Sequence, residues 1–559
     1  MKAETKQRLM SRDKGRAELI VFFAYIAAVV IVGIFHEPWF DEAQAWSIAR
    51  SASIKDIFFD VPHYEGHPPL WSLLLMPFAK LGAPFELSLK AVNLVICAAG
   101  VWLILYKSPF PRIVRCMIPF TFFFFYQTAV ICRPYSLMML ALMLAATFYK
   151  RRNEKPLGYI LAILLLCASH AYGLVLAGGM CVVWVWEIFA AAIKEKRFVS
   201  VFKDKRCYLL LVVLAFALFT ASLIIPADDI RYMNMNVGIA DRLRNLKLLL
   251  VYPIDSLFGI YIDVETIKQT TSGLITTMIG GAMLLAVLFA VTKKNRKLAI
   301  FAVPYFGFLI FGVLKYMYWN HLGISTFYIV FILWTVMDDE NAAVPEIFGK
   351  IRTKVESKLT VVLGKCAVVF ISAMPLAWSL SCTAMDIINP YGMREVAQYI
   401  KDNDMEGHTI MMCWLYEYKG GSKFDDDYYT DANRHNMSNE MSDASALSPY
   451  FDTNIFYNFN IDNPEQLYSK FRQTTEEDNQ HNFARWREYG YPEYMIFKCP
   501  IDSVFPELVY DDIEEMYDNV AMFERNCFYK FSAITEYVHI FKLKDEYIGK
   551  GKPNDGNEA

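Results

Sequence analysis

Long apolar runs alternate with short polar connectors through the first two thirds of the chain, and the pattern then gives way to a polar stretch. A bilayer core of ~30 Å takes about 20 residues of helix, with tolerance for somewhat shorter runs. Runs of that kind predict spans at 18–35, 86–106, 113–131, 134–149, 156–169, 172–192, 207–226, 273–292, 298–315, 322–337 and 359–382. The segment 244–262 is apolar too, but Pro253 and Asp255 interrupt it, so a surface or re-entrant helix is expected there. Beyond 382 the pattern is α/β: a helix at 393–401 and strands at 409–415, 494–498 and 537–543, around an Asp- and Asn-rich middle at 420–485.

Connector charge orients the spans, because Lys and Arg collect on the cytoplasmic side. The N-terminal segment and the connectors at 107–115, 150–155, 194–206, 293–297 and 350–358 are basic, and alternation along the spans places all of them on one side. The opposite side receives the loop 36–85, the turns at Cys132 and Ala171, 227–272, the turn near Tyr318 and the whole tail. Phe35-His36-Glu37-Pro38 lacks a small-residue cleavage pattern, so the first span reads as a retained helix. The expectation is a multi-pass plasma-membrane protein, with a membrane domain at 1–382 and an extracytoplasmic soluble domain at 383–559.

Composition sharpens this division. Mean hydropathy is +0.26 with 20% charged residues, which argues against a wholly soluble enzyme. The net charge of -3 conceals a tail holding 16 Lys and Arg against 33 Asp and Glu. The basic excess lies scattered in connectors and the large polar region is acidic, which excludes a nucleic-acid partner. Eight of the 11 Cys lie in or beside apolar segments and no CxxC pair occurs, so neither a disulfide framework nor a zinc site is indicated. Asp425-Asp426-Asp427 lacks the glycine and distal glutamate of a calcium loop and reads as a solvated acidic run.

Candidate chemistry concentrates in the loop 36–85. It carries Asp41-Glu42, then His63-Tyr64-Glu65-Gly66-His67-Pro68-Pro69-Leu70-Trp71. Carboxylates beside His and Tyr at a membrane surface supply a general base or metal ligands. Asp41 with Gln44 is also a candidate capping box, and Pro68-Pro69 a helix start. Cations at outer membrane depth run against the inside bias and want an anionic partner, which singles out Arg133 and Lys315. Lys315 has the alternative of reaching for headgroups. His170 and His321 sit at span edges, as interface histidines or as ligands. Tyr316, Tyr318 and Trp319 are belt aromatics or sugar-stacking rings.

Four motifs in this order resemble the GT-C glycosyltransferases: Asp41-Glu42 after the first span, His67-Pro68-Pro69-Leu70 followed by Trp71, Arg133-Pro134-Tyr135, and His170-Ala171-Tyr172-Gly173. The protein O-mannosyltransferase and lipid A aminoarabinose transferase branch is the nearest likeness. It covers roughly 15–200; from 200 to 380 only the topology is similar, and the tail loosely resembles extracytoplasmic α/β domains of some bacterial members. The resemblance implies inverting transfer of a sugar from a polyprenyl-phosphate carrier to an acceptor hydroxyl on a glycan, lipid or protein. It makes the Asp41-Glu42 pair catalytic, with Asp41 as the base and Glu42, its neighbour in the acidic pair, as the alternative. His63, Tyr64, Glu65, His67, Arg133, Tyr135, His170, Tyr172, Lys315, Tyr318 and His321 would bind substrate. Glu65-Gly66 before the His-Pro-Pro element departs from the family pattern, and some relatives carry a basic residue where His67 stands. Asp41, Glu42, Glu65, His63 and His67 leave a divalent metal open as cofactor. A flippase of lipid-linked sugars and a membrane-anchored glycan-binding protein are the competing classes. Flippases place ionisable groups mid-span, and the middles of the spans here are nearly free of charge.

Overall fold

The computed structural model describes residues 15–196, 201, 203–230, 245–259, 270–315, 317, 319–339, 358–413, 441–456, 463, 465–470, 492–499, 516–527 and 534–549. Its first part is helical. The helix α1 (Arg16–Phe35) leads into a loop built from four short helices, α2 (Phe40–Ser51), α3 (Ile54–Phe59), α4 (Val61–Glu65) and α5 (Leu70–Lys80), and then into α6 (Phe85–Lys107). After α7 (Arg112–Met117) come α8 (Tyr135–Tyr149), α9 (Leu157–Ser169), α10 (Ala171–Lys194), α11 (Lys205–Leu223), α12 (Leu248–Phe258), α13 (Thr271–Lys294), α14 (Leu298–Leu314), α15 (Leu322–Met337) and α16 (Lys358–Ile388). Among the described residues, α1, α6, α10, α11 and α13 are long and apolar enough to cross a membrane. Leu211, Leu218, Ile275 and Ile279 point out of the bundle, as lipid-facing positions do. The chain is thus an α-helical polytopic membrane protein with a C-terminal α/β region.

One expectation changes and another narrows. The run 113–131 is not one helix: α7 ends at Met117, a 3-10 turn covers Ile118–Phe120, and a π turn covers Tyr126–Val130. Pro119 withholds an amide and opens the ladder. The freed backbone and rings bond sideways, with Phe122 N–H donating to Pro375 O at 3.2 Å and its ring stacked 3.8 Å from Trp378. The segment expected as a surface or re-entrant helix contains α12, which packs inside the bundle and so disfavours the surface alternative alone. At 11 residues it is about 16 Å long, too short to cross. Its backbone meets α13 so closely that a Cβ on Gly281 would lie 1.6 Å from Leu250 O. Only glycine fits there.

The tail begins with α17 (Met393–Asp402), later contains α18 (Met441–Leu447), and has a sheet in the order β1-β2-β4-β3. The strands are β1 (Ile410–Cys413), β2 (Tyr494–Cys499), β3 (Tyr517–Cys527) and β4 (Ile534–Leu543), with β1 parallel to β2 and the other pairs antiparallel. Consecutive residues of β1 and β2 are buried, as in strands covered on both faces, whereas β3 alternates at the edge. The middle expected at 420–485 falls mostly outside the described residues.

The tail is seated on the first loop. Arg394 pairs with Glu86 at 2.7 Å and donates its backbone N–H to Glu37 at 3.1 Å, while Tyr450 donates to Glu86 at 2.9 Å. Arg50 reaches Asp452 at 2.8 Å, and α18 packs on α2. His36 joins Asp386, near the end of α16, at 2.8 Å. These contacts fix where the loop helices stand.

Candidate functional site

The helix α2 begins at Phe40, one residue before the acidic pair, with Trp39 as its N-cap. Glu42 therefore occupies the third position and folds back to accept from Trp39 N–H at 3.1 Å. The expected box of Asp41 with Gln44 is not formed, because the helix starts two residues too early for it. Glu42 is fully buried, accepting from Cys132 N–H at 2.6 Å and meeting His36 Nε2 at 3.2 Å. Asp41, about 100° further round the helix, opens instead onto a cleft. The acidic pair is divided between two environments.

That cleft is narrow and is lined by Asp41, Glu65, His67 and Arg133, with Ile48, Ile57 and Val61 as its apolar wall. Gly66 caps α4 at φ 64, a left-handed turn that brings Glu65 and His67 to the same opening. Pro134 starts α8, leaving Arg133 at its threshold. Its guanidinium Nη1 pairs with Asp41 Oδ2 at 2.9 Å, Nη2 lies 3.4 Å from His67 Nε2, and the group sits 5.9 Å from the Trp39 ring centre. Arginine can only donate, so His67 Nε2 accepts and Nδ1 carries the proton.

Desolvation raises the Glu65 carboxyl to about 7; Asp41 adds to the rise, while Gln44 and Arg133 oppose it. Gln44 Nε2 donates to Glu65 Oε1 at 3.0 Å. Burial, reinforced by Arg133, lowers His67 to about 3, so its ring is neutral.

Behind the cleft lies a ring cluster. His67 stands 4.4 Å from His170, which lies 5.5 Å from Tyr135, 5.1 Å from Tyr172 and 5.7 Å from His321. His170 caps α10 by accepting from Tyr172 N–H at 3.2 Å through Nδ1, which puts its proton on Nε2. Burial and the surrounding cationic and imidazole groups hold His170 neutral, well below its usual range. His170 Nε2, Arg133 Nε and the Tyr135 hydroxyl are buried without a hydrogen-bond partner among the described residues. Such groups are costly to bury and are the sort that a ligand satisfies.

Of the residues singled out in the sequence, Asp41, Glu65, His67 and Arg133 meet at the cleft, and Tyr135, His170, Tyr172 and His321 form the adjoining cluster. The others lie elsewhere. His63 bonds Ile225 O at 2.6 Å, Tyr64 and Glu42 do not line the cleft, and Lys315 is exposed at the end of α14. Tyr318 lies outside the described residues. No three His, Cys, Asp or Glu gather as a metal-ligand set among the described residues. Gln44, expected only as part of a capping box, and Trp39 were not among the expected site residues. Gln44 is one helical turn from Asp41, a spacing that places both on one face.

No protein-family model matches the chain, and no curated protein matches it. Among solved structures, a crystal structure of ArnT from Cupriavidus metallidurans bound to undecaprenyl phosphate is similar over 96% of this chain and 99% of that one. The identity is 10% and the TM-score 0.43. No family assignment follows from a likeness of that size.

Proposed function

We propose that the chain is an inverting glycosyltransferase of the GT-C type, which moves a sugar from a polyprenyl-phosphate carrier to a hydroxyl acceptor at the extracytoplasmic face. The observation that carries this reading is the meeting of Asp41, Glu65 and Arg133 in one cleft, flanked by unpartnered buried donors. Such a reaction needs a carboxylate to take a proton and cationic or N–H groups to hold a phosphate.

In this reading the phosphate of the donor takes hydrogen bonds from Arg133, His170 and Tyr135. Competition for the guanidinium loosens the Asp41 ion pair and frees the carboxylate to receive the acceptor's proton. The acceptor oxygen attacks the anomeric carbon from the face opposite the leaving group. The bond from that carbon to the phosphate oxygen breaks, its electron pair leaves with the lipid phosphate, and the proton ends on Asp41. His67 and Tyr172 border the sugar's place.

Glu42 then serves as a neighbour that holds the Arg133 turn, rather than as a second base. The tail would face the same side as the cleft, a reading supported by its contacts with the first loop. A glycan-binding role without transfer would need neither a poised carboxylate nor spare phosphate donors. Membranes expressing the chain are expected to transfer radiolabelled sugar from a polyprenyl-phosphate donor. Absence of transfer across a panel of such donors, with the protein folded, would sink the proposal.

A further inference from the structure

Ser469 lies in the tail, far from the cleft in sequence, yet its backbone grips the Gln44 side chain from both sides. Ser469 N–H donates to Gln44 Oε1 at 3.0 Å, and Gln44 Nε2 donates to Ser469 O at 2.5 Å. The same Nε2 donates its other proton to Glu65 Oε1 at 3.0 Å. An amide turned over would set N–H against N–H at Ser469 and oxygen against carboxylate at Glu65, so the clasp admits one orientation. Neighbouring contacts hold the segment down. Leu467 N–H reaches Ser51 Oγ at 3.1 Å, Lys470 pairs with Asp60 at 2.8 Å, and Tyr468 packs on Ile48, Ile57 and Val61, the apolar wall of the cleft.

We propose that the tail segment 467–470 is a working part of the cleft: through Ser469 it orients Gln44, a positioning residue, so that an N–H is delivered to Glu65 and sets the proton occupancy of that carboxyl. This builds on the glycosyltransferase reading only for its kinetic consequence. The other charged or titratable groups facing Glu65 are Asp41 from α2, Arg133 from the turn before α8, and His67 from its own stretch; Lys470 and Asp60 lie at the edge of the strap. An N–H given to the carboxylate favours its ionised form. Release of the strap therefore leaves Glu65 protonated to higher pH.

The test uses full-length protein in membranes or detergent and reads two quantities against pH. The first is the midpoint of the acidic limb of sugar transfer. The second is the difference in melting temperature between each variant and its Glu65→Gln derivative, which reports the same proton without any turnover. Gln44→Met, close to Gln in volume but without the amide, should move both midpoints up by about one pH unit, the size of one hydrogen bond to a charged group. Gln44→Glu should move them further, by placing a second carboxylate beside the first. Tyr468→Ala with Lys470→Ala, which leaves Gln44 in place, should reproduce the Gln44→Met shift. Activity of Gln44→Met should return towards the parent value at alkaline pH. A uniform loss of turnover with both midpoints unmoved would overturn the inference and leave the strap a structural brace. Absent transfer in the parent alongside a shifted melting midpoint would overturn the glycosyltransferase reading alone.

Discussion

Two of the buried charge clusters among the described residues are finished differently. In the first, Glu18 on α1 is fully buried against Arg115, also fully buried, and bonds Arg112 at 2.9 Å; Arg115 also donates to Phe110 O. In the second, Arg133 meets a single carboxylate at 2.9 Å, keeps Nε unpartnered among the described residues, and neighbours a histidine and a tyrosine in the same condition. A buried ion pair repays its desolvation only when its remaining groups are also satisfied. The Glu18 cluster meets that requirement and reads as a fastening between helices. The Arg133 cluster does not, and such under-satisfaction is the mark of a place that binds something.

The largest effect that sharpens this contrast concerns Asp41. Asp41→Asn is expected to lower sugar transfer by ~10² to 10⁴, since general-base help is of that order, with a fall in melting temperature limited to the loss of the Arg133 ion pair. Glu42→Gln should do the reverse, lowering melting temperature first, because Glu42 closes the start of α2 and holds Cys132 N–H and His36. If Asp41→Asn kept full activity and Glu42→Gln lost it without unfolding, the base would be reassigned.

Next come the two arginines. Arg115→Ala should destabilise the protein by ~3 to 5 kcal/mol, the cost of stranding a buried charge, as read by thermal unfolding. Arg133→Ala should cost ~2 to 5 kcal/mol in donor binding instead, with Arg133→Lys recovering part of it. Equal damage to folding from both would erase the distinction between the clusters.

A smaller effect is expected from pH. Burial opposes charge on His36, but the carboxylates of Asp386 and Glu42 outweigh it and hold the ring up to about 10. Its folded value is thus raised above 6.5, so its stabilisation is complete below that pH and is lost as pH rises through 10. His36→Gln should be less stable than the parent at neutral pH, with the gap closing between pH 6.5 and 10. A constant gap would mean that the imidazole holds Asp386 and Glu42 without a charge. The smallest change is expected at Lys315, where Ala should alter donor affinity by no more than about twofold if the exposed side chain only reaches for headgroups.

Much of the fold was legible in the apolar pattern, because a helix in lipid must be apolar along its whole length and satisfies its own backbone. The runs at 18–35, 86–106, 172–192, 207–226 and 273–292 correspond to α1, α6, α10, α11 and α13 within about three residues at each end. Length alone read 113–131 as one helix, and Pro119 interrupts it. The edge strand β3 was missed for the opposite reason. Asp518 and Glu524 interrupt it, and they are tolerated because their side chains face solvent.

The chain by itself determined which chemical groups the site has and the order in which they come, since motif, span and turn are all local. Only the tertiary structure decided which of them work together. Asp41 and Glu42 are neighbours in sequence, yet a rotation of about 100° between successive residues sends one to the cleft and the other to the core. Gln44 gained its part from Ser469, and no local pattern records a hydrogen bond to a segment that folding alone brings near. Side-chain direction and long-range pairing are set by packing.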